Sequence, residues 1–247
     1  MEKKIEITLI IPVYEEEDSI VELFYEIHET VPLPHKAIII FDHHEDSTLS
    51  KKDELISRYP NVRFIKNVYG KGIINAFKTG FEAADTKYVV PIMADLSDMP
   101  ETINQLYAKI QEGYDLVVAS RYVEGGAKVG GPVIKYLLSR AANLSLNKLT
   151  DIPIHDMTNA FIIYKKTVID SIDIESTGGF EITMEIIAKC YRQGFRMTEI
   201  PTINRDRKSG SSKFNLMSWI FKYFYWYQYI LRQSIVRRLM RFYWKKP

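Results

Sequence analysis

Two carboxylates three residues apart, Asp95 and Asp98, close the apolar stretch at 89–93 and stand just ahead of Pro100 and Glu101. An acid delivered at the end of a strand can hold a divalent cation, and a cation lets an acidic crevice accept a diphosphate that it would otherwise repel. Asp95 is the candidate ligand, for Mg²⁺ or Mn²⁺. Asp98, followed by Met-Pro-Glu, reads better as the N-cap of the next helix. Two further groups, "PVYEEED" at 12–18 and "FDHHEDST" at 41–48, are also acid-rich. The acids at 15–18 suit the positive end of a helix dipole. His43 and His44 lack a second His or Cys cluster to complete a tetrahedral zinc shell, so a solvated turn is the better reading. "GKG" at 70–72 opens a helix whose amides, with Lys71, could meet a phosphate. Neither G-x-G-x-x-G nor a Walker G-x-x-x-x-G-K-[ST] is present, which argues against dinucleotide and P-loop chemistry.

Such groups need a scaffold, and the chain supplies one. Apolar runs at 7–13, 36–41, 62–66, 88–93 and 115–120 alternate with segments of helical spacing, among them Ile20, Leu23, Phe24, Ile27 and Ile73, Ile74, Phe77, Phe81. That rhythm predicts an α/β fold, a mainly parallel sheet with helices on both faces and a ligand crevice at the strands' C-terminal ends. The acid-rich stretches lie at those ends. Beyond residue 120 a four-glycine loop (123–132) precedes a helix from Pro132 to about Leu149, another helix is expected from Phe180 to Arg192, and a strand at 195–201. With 247 residues and 46% hydrophobic content, the chain can build one large core. Its lone cysteine, Cys190, reads as a small buried hydrophobe in a reducing compartment, and the N-terminus carries no export signal.

Taken together, "IPVYEEEDSI", "GKGIINAFKTGFEAA", "ADLSDMPE", "ASRYVEGG", "LLSRAANL", "DMTNAFIIYKKTVID", "GGFEITMEI" and "RKSGSSKF" resemble, in order and spacing, the inverting glycosyltransferases of family two. Within that family the likeness is to the dolichyl-phosphate mannose synthase group of polyprenyl-phosphate glycosyltransferases. The resemblance implies a Rossmann-like, nucleotide-sugar-binding glycosyltransferase A fold. It implies that Pro12, Val13, Tyr14, Glu16 and Asp42 line the base and ribose, with Ala94 and Asp95 at the diphosphate and its metal. Arg121, Lys135 and Ser139 match positions that hold an acceptor phosphate, and Arg207, Gly210, Ser212 and Lys213 match an R-x-x-G-x-S-K phosphate motif. Asp95, Arg121 and Arg207 would be the catalytic set. A phosphate acceptor is already anionic at neutral pH, so fixed cations against charge repulsion matter more than a base. The chain departs from the pattern at Met93, where the metal motif usually begins with Asp, at Ser97, where a glutamine ligand is usual, and at Phe41 and His43 to His44, where Asp-Asp-Gly-Ser is usual.

Residues 205–246 hold eleven Lys and Arg against the single acid Asp206, leaving 22 basic and 30 acidic residues elsewhere. A basic tail carrying all three tryptophans on an acidic body points to an anionic membrane surface, and the apolar character of that tail argues against nucleic acid. Two units follow: a catalytic domain at 1–213, and amphipathic helices at 214–247 lying in the membrane interface without crossing it. Met217, Ile220, Phe224, Tyr227 and Leu231 would share one face, and Ile235, Val236, Leu239, Met240, Phe242 and Tyr243 another. The alternative is that these faces pack on the body, on a second subunit or on a membrane partner. The expected location is peripheral, on the cytoplasmic face of a membrane. Two rival readings stay open. One is transfer to a hydroxyl of a surface glycan, with Asp156 or Glu181 as general base; the other is a degenerate sugar-nucleotide-binding subunit, suggested by Met93 and Phe41.

Overall fold

The computed structural model describes residues 4–206 and 216–244. Strands β1 (Ile7–Val13), β2 (His35–Phe41), β3 (Val62–Lys66) and β4 (Tyr88–Pro91) pair in parallel in the order β3-β2-β1-β4. Helices α1 (Ile20–Thr30), α2 (Lys52–Arg58) and α3 (Ile73–Ala83) are the crossovers. The sheet continues through β7 (Ile162–Lys165), which runs into the short helix α6 (Lys166–Asp170), and β5 (Leu116–Ser120) to β8 (Met197–Pro201); β7 runs antiparallel to both β4 and β5. The parallel half follows the expected alternation. The expected strand at 88–93 stops at Pro91, and β7, which was not expected, enters between β4 and β5.

Alternate residues along a strand face opposite ways, and the core divides accordingly. Ile10, Ile38 and Ile40 face one layer, with α3 and with α7 (Glu181–Gln193) over them; Leu9, Ile11 and Ile39 face the other, under α1 and α4 (Thr102–Ile110). Gly80 lets α3 lie close to β1: a Cβ there would come within 2.4 Å of Ile10 Cγ2. A short second sheet pairs β6 (Ala127–Val129) with β9 (Ile203–Arg205) in parallel. It sits between the glycine-rich loop, which leads into α5 (Val133–Leu149), and the chain approaching residue 207.

The tail is one continuous helix, α8 (Leu216–Trp244), where two were expected. Trp226, Ile230 and Ser234 recur at helical spacing and are buried; Trp226 and Ile230 join the core layer that α7 caps. Trp226 Nε1 donates to Ser176 Oγ at 3.0 Å. The opposite face exposes Phe221, Phe224, Tyr225, Ile235 and Val236. Phe224, expected to share a face with Tyr227 and Leu231, therefore lies on the outer side, whereas Tyr227 and Leu231 pack against the core. The side chains of Met217, Ile220, Leu239, Met240, Phe242 and Tyr243 fall outside the described set.

Candidate active site

The residues expected to meet the donor stand at the ends of β1, β2 and β4. Pro12 and Val13 close β1 in register with Ile40 and Phe41, and Tyr14, half-exposed just beyond, meets the His43 ring edge-on at 5.8 Å. Glu16 lies in the turn that leads into α1: its Oε2 accepts from Ser19 Oγ at 2.8 Å and its carbonyl from the Ser19 and Ile20 amides. Asp42 is held on two sides, accepting from Asn67 Nδ2 at 2.8 Å and from the Gly72 amide at 2.9 Å. Asn67 Oδ1 in turn accepts from Thr79 Oγ1 at 2.9 Å. Asp42 thus sets the turn before α3, where Gly70 and Gly72 take positive φ. The Gly72 amide, expected to meet a phosphate, points at Asp42, while Lys71 stays exposed.

After β4 the chain makes a tight buried loop. Ala94 and Asp95 are buried, Leu96 takes φ of 60°, and the Ser97 amide donates to Asp95 Oδ1 at 3.1 Å. Asp98 does not cap α4, which starts at Thr102 with Glu101 in the cap position. Its carboxylate turns inward instead, accepting from the Met93 amide at 3.2 Å and from Asn204 Nδ2 at 3.2 Å. The residue is buried, so tertiary partners outweigh the local capping signal. Burial, and next the charge of Asp95, push the Asp98 carboxyl up to about 7 against the pull of those two donors.

Farther along the sheet, β5 ends at Ser120 and delivers Arg121. Its Nε and Nη2 donate to the two oxygens of Asp156 at 2.7 and 2.8 Å, and its amide donates at 3.0 Å. Burial alone would weaken the guanidinium's hold on its proton, but the charge and bonds of Asp156 more than reverse that. Arg121 Nη2 also reaches Thr158 Oγ1 at 3.0 Å, which contacts Ser139 Oγ at 3.0 Å. Tyr122 OH donates to Ser139 Oγ at 2.9 Å, and Asn143 Nδ2 to Thr158 Oγ1 at 3.2 Å. Arg121 and Ser139, 18 positions apart, therefore share one polar cluster. Lys135 lies in the first turns of α5, its side chain outside the described set; Arg207, Gly210, Ser212 and Lys213 also lie outside the described residues.

Residues 8–173, more than half of the chain, match the family Glycosyl transferase family 2. The chain belongs to that family. This glycosyltransferase is 31% identical over 242 residues to the dolichol-phosphate mannosyltransferase of Pyrococcus furiosus, spanning 96% of this chain and 67% of the relative. It is 28% identical over 227 residues to the polyprenol monophosphomannose synthase of Mycolicibacterium smegmatis, spanning 88% and 85%. Among solved structures, glucosyl-3-phosphoglycerate synthase from Mycobacterium tuberculosis in complex with UDP superposes with a TM-score of 0.68 at 15% identity, over 93% of this chain and 80% of that one. The same synthase with Mn²⁺, UDP and glucosyl-3-phosphoglycerate gives 0.66 at 14% identity, over 93% and 80%. The glycosyltransferase A fold implied by the sequence motifs is the fold observed.

In this glycosyltransferase no group of three or more His, Cys, Asp and Glu stands ready for a metal among the described residues. The donor set still fits a cation that arrives with its ligand, because Mg²⁺ commonly takes one or two carboxylates and completes its shell with phosphate oxygens and water. Asp95, buried after β4, would supply such a carboxylate. The two candidate bases are committed elsewhere: Asp156 is fully buried against Arg121, and Glu181 accepts the Gly178 and Gly179 amides at 2.7 and 2.6 Å. Tyr122, Asn143 and Thr158 join the polar cluster around Arg121 and were not singled out from the sequence, although the quoted motifs "ASRYVEGG", "LLSRAANL" and "DMTNAFIIYKKTVID" contain them. Tyr223 of α8 packs, partly buried, against the core layer that α7 caps. Burial first, then the charge of Glu181, raise its phenol. Among the described residues no helix is long and apolar enough to cross a membrane.

Proposed function

We propose that this glycosyltransferase moves a sugar from a nucleotide diphosphate to a polyprenyl phosphate at a membrane surface, with inversion. The observation that carries this is the commitment of both candidate bases, Asp156 to Arg121 and Glu181 to its own helix start. A hydroxyl acceptor needs its proton removed, whereas a phosphate monoester is already ionised. An acceptor phosphate oxygen attacks the anomeric carbon of the donor; the bond from that carbon to the β-phosphate oxygen breaks, and the nucleoside diphosphate leaves with the electron pair. Arg121, with Ser139, Lys135, Arg207 and Lys213, would hold the incoming phosphate against the charge of the donor. Pro12, Val13, Tyr14, Glu16 and Lys71 would surround the nucleotide, with Asp42 holding the loop beside it. Mg²⁺ or Mn²⁺ at Asp95 would neutralise the diphosphate. The names of the two relatives agree with this acceptor class.

The membrane contact fits the surface. Exposed Ile134, Leu137, Leu138 and Leu144 of α5 lie on a helix adjacent to α8, whose Ser145–Tyr227 hydroxyl contact is 2.8 Å. Phe221, Phe224, Tyr225, Ile235 and Val236 add an apolar face on α8, and the tail's cations suit the anionic cytoplasmic leaflet. In this reading residues 1–213 carry the chemistry and 214–247 bind the membrane while sharing the core. The test mixes the full chain with Mg²⁺ or Mn²⁺, a panel of sugar nucleotides and vesicles holding a short polyprenyl phosphate. Metal-dependent appearance of one glycosyl-phosphate lipid by mass spectrometry supports the reading. Absence of any lipid product from every donor, with both metals, defeats it.

A further inference from the structure

The donor-side loop and strand β9 are joined more tightly than sheet pairing requires. Asn204 Nδ2 donates to the Ser97 carbonyl at 3.0 Å and to Asp98 Oδ1 at 3.2 Å. The Arg205 amide donates to the same Ser97 carbonyl at 2.9 Å. On its other edge β9 pairs with β6, with Asn204 opposite Lys128, and the Asp206 amide donates to the Val129 carbonyl at 2.8 Å. Asn204 therefore ties its own strand, which runs on in sequence to Arg207, to the loop that carries Asp95 through its buried carboxamide, and to the strand that leads through two glycines to α5 and Lys135 through backbone pairing.

A carboxamide nitrogen has two N–H donors, and here both are used on the same loop. We propose that Asn204 is a positioning residue, which fixes the Asp95 loop against β9 and thereby sets the alignment of donor diphosphate and acceptor phosphate. Asn204 acts through the loop it holds, by its bonds to Ser97 and Asp98. Its removal leaves the Ser97 carbonyl with the Arg205 amide and Asp98 Oδ2 with the Met93 amide; Asp98 Oδ1 alone loses its donor, while the backbone pairing of β9 with β6 and with the Ser97 carbonyl is kept, so the fold should survive. What is lost is the tie between donor and acceptor segments. Misplacement of reacting groups by about 1 Å can cost on the order of a hundredfold in rate without weakening either binding contact.

The test uses the full chain as Asn204→Ala and Asn204→Leu, with Asn204→Ser as a milder variant should either fail to fold. Amide exchange is followed in peptides covering residues 93–98 and 202–206, alongside steady-state kinetics and titration with UDP and GDP. The expected result is faster exchange in both segments together, kcat down by at least about tenfold, and donor and polyprenyl-phosphate KM within about twofold. Exchange that matches the unsubstituted protein in either segment, an unchanged kcat, or a loss carried by KM overturns the assignment. The kinetic half rests on the phosphate-acceptor reading. Should the unsubstituted protein fail to glycosylate a polyprenyl phosphate, that reading falls, while the exchange result still decides the role of Asn204.

Discussion

Replacing Asp156 by Asn separates the two acceptor chemistries. The carboxylate is fully buried and accepts five hydrogen bonds: from Arg121 Nε, Nη2 and amide, and from the Thr158 amide and hydroxyl at 3.3 and 3.1 Å. Asparagine keeps one acceptor oxygen but turns an NH₂ toward a guanidinium that can only donate, and leaves a buried cation without its counter-charge. Breaking a buried ion pair from one side costs about 3 to 5 kcal/mol. For a chain of this length each kcal/mol moves the melting temperature by roughly 2 to 4 °C, so a fall of about 10 °C is expected in a calorimetric or circular-dichroism melt. Arg121 also loses its orientation. A charge-assisted contact to phosphate contributes on the order of 1.5 to 3 kcal/mol, so kcat/KM for the lipid should fall by roughly tenfold to a hundredfold, leaving donor KM nearly unchanged. The reasoning is refuted if Asp156→Asn melts like the unsubstituted protein yet loses more than about a thousandfold in turnover together with a limb of its pH–rate profile. That pattern belongs to a general base, and hence to a hydroxyl acceptor.

Asp95→Ala should abolish metal-dependent turnover and weaken donor binding measured by calorimetry; near-normal turnover at saturating donor would remove the metal from Asp95. The Asp98 carboxyl, raised to about 7, lends the metal-free protein stability that is full below the ordinary carboxylate value and is lost as pH rises through 7. Asp98→Asn should therefore flatten the fall in melting temperature between about pH 5 and 8 in EDTA, relative to the unsubstituted protein; parallel slopes would contradict it. Trp226→Ala empties a buried site between α8 and the Ser176 loop and should cost about 3 to 5 kcal/mol in a denaturant melt, whereas a negligible change would make α8 an independent appendage. Phe221→Ser with Phe224→Ser, both on the exposed face, should reduce sedimentation with anionic vesicles without lowering the melting temperature; undiminished binding would move the membrane contact elsewhere.

The parallel half of the sheet was legible because its strands are short, β-branched and buried on both faces, so the runs at 7–13 and 36–41 stand out against helical spacing. The acidic strand ends were legible for the same reason: position after a strand is a local property. β7 was not, since four residues inserted antiparallel between β4 and β5 carry no local mark of their neighbours. Asp98 has a cap's sequence context, yet its partner Asn204 lies 106 positions away, and no local rule reports such a pairing. Asp42 is a similar case, engaged by Asn67 and Gly72 across two turns. In α8 aromatic residues populate every side, so the apolar pattern could not say that Trp226 and Ile230 face the core while Phe221 and Phe224 face out.

The most direct measurement offers the enzyme, with Mg²⁺ or Mn²⁺ and its preferred sugar nucleotide, an equimolar mixture of a polyprenyl phosphate and the polyprenol of the same chain length, and weighs the products. Sugar should appear on the phosphate alone, as a phosphodiester-linked glycosyl lipid with the anomeric configuration opposite to that of the donor. Glycosylated polyprenol, or a product that retains the donor's configuration, would contradict base-free inverting transfer to a phosphate.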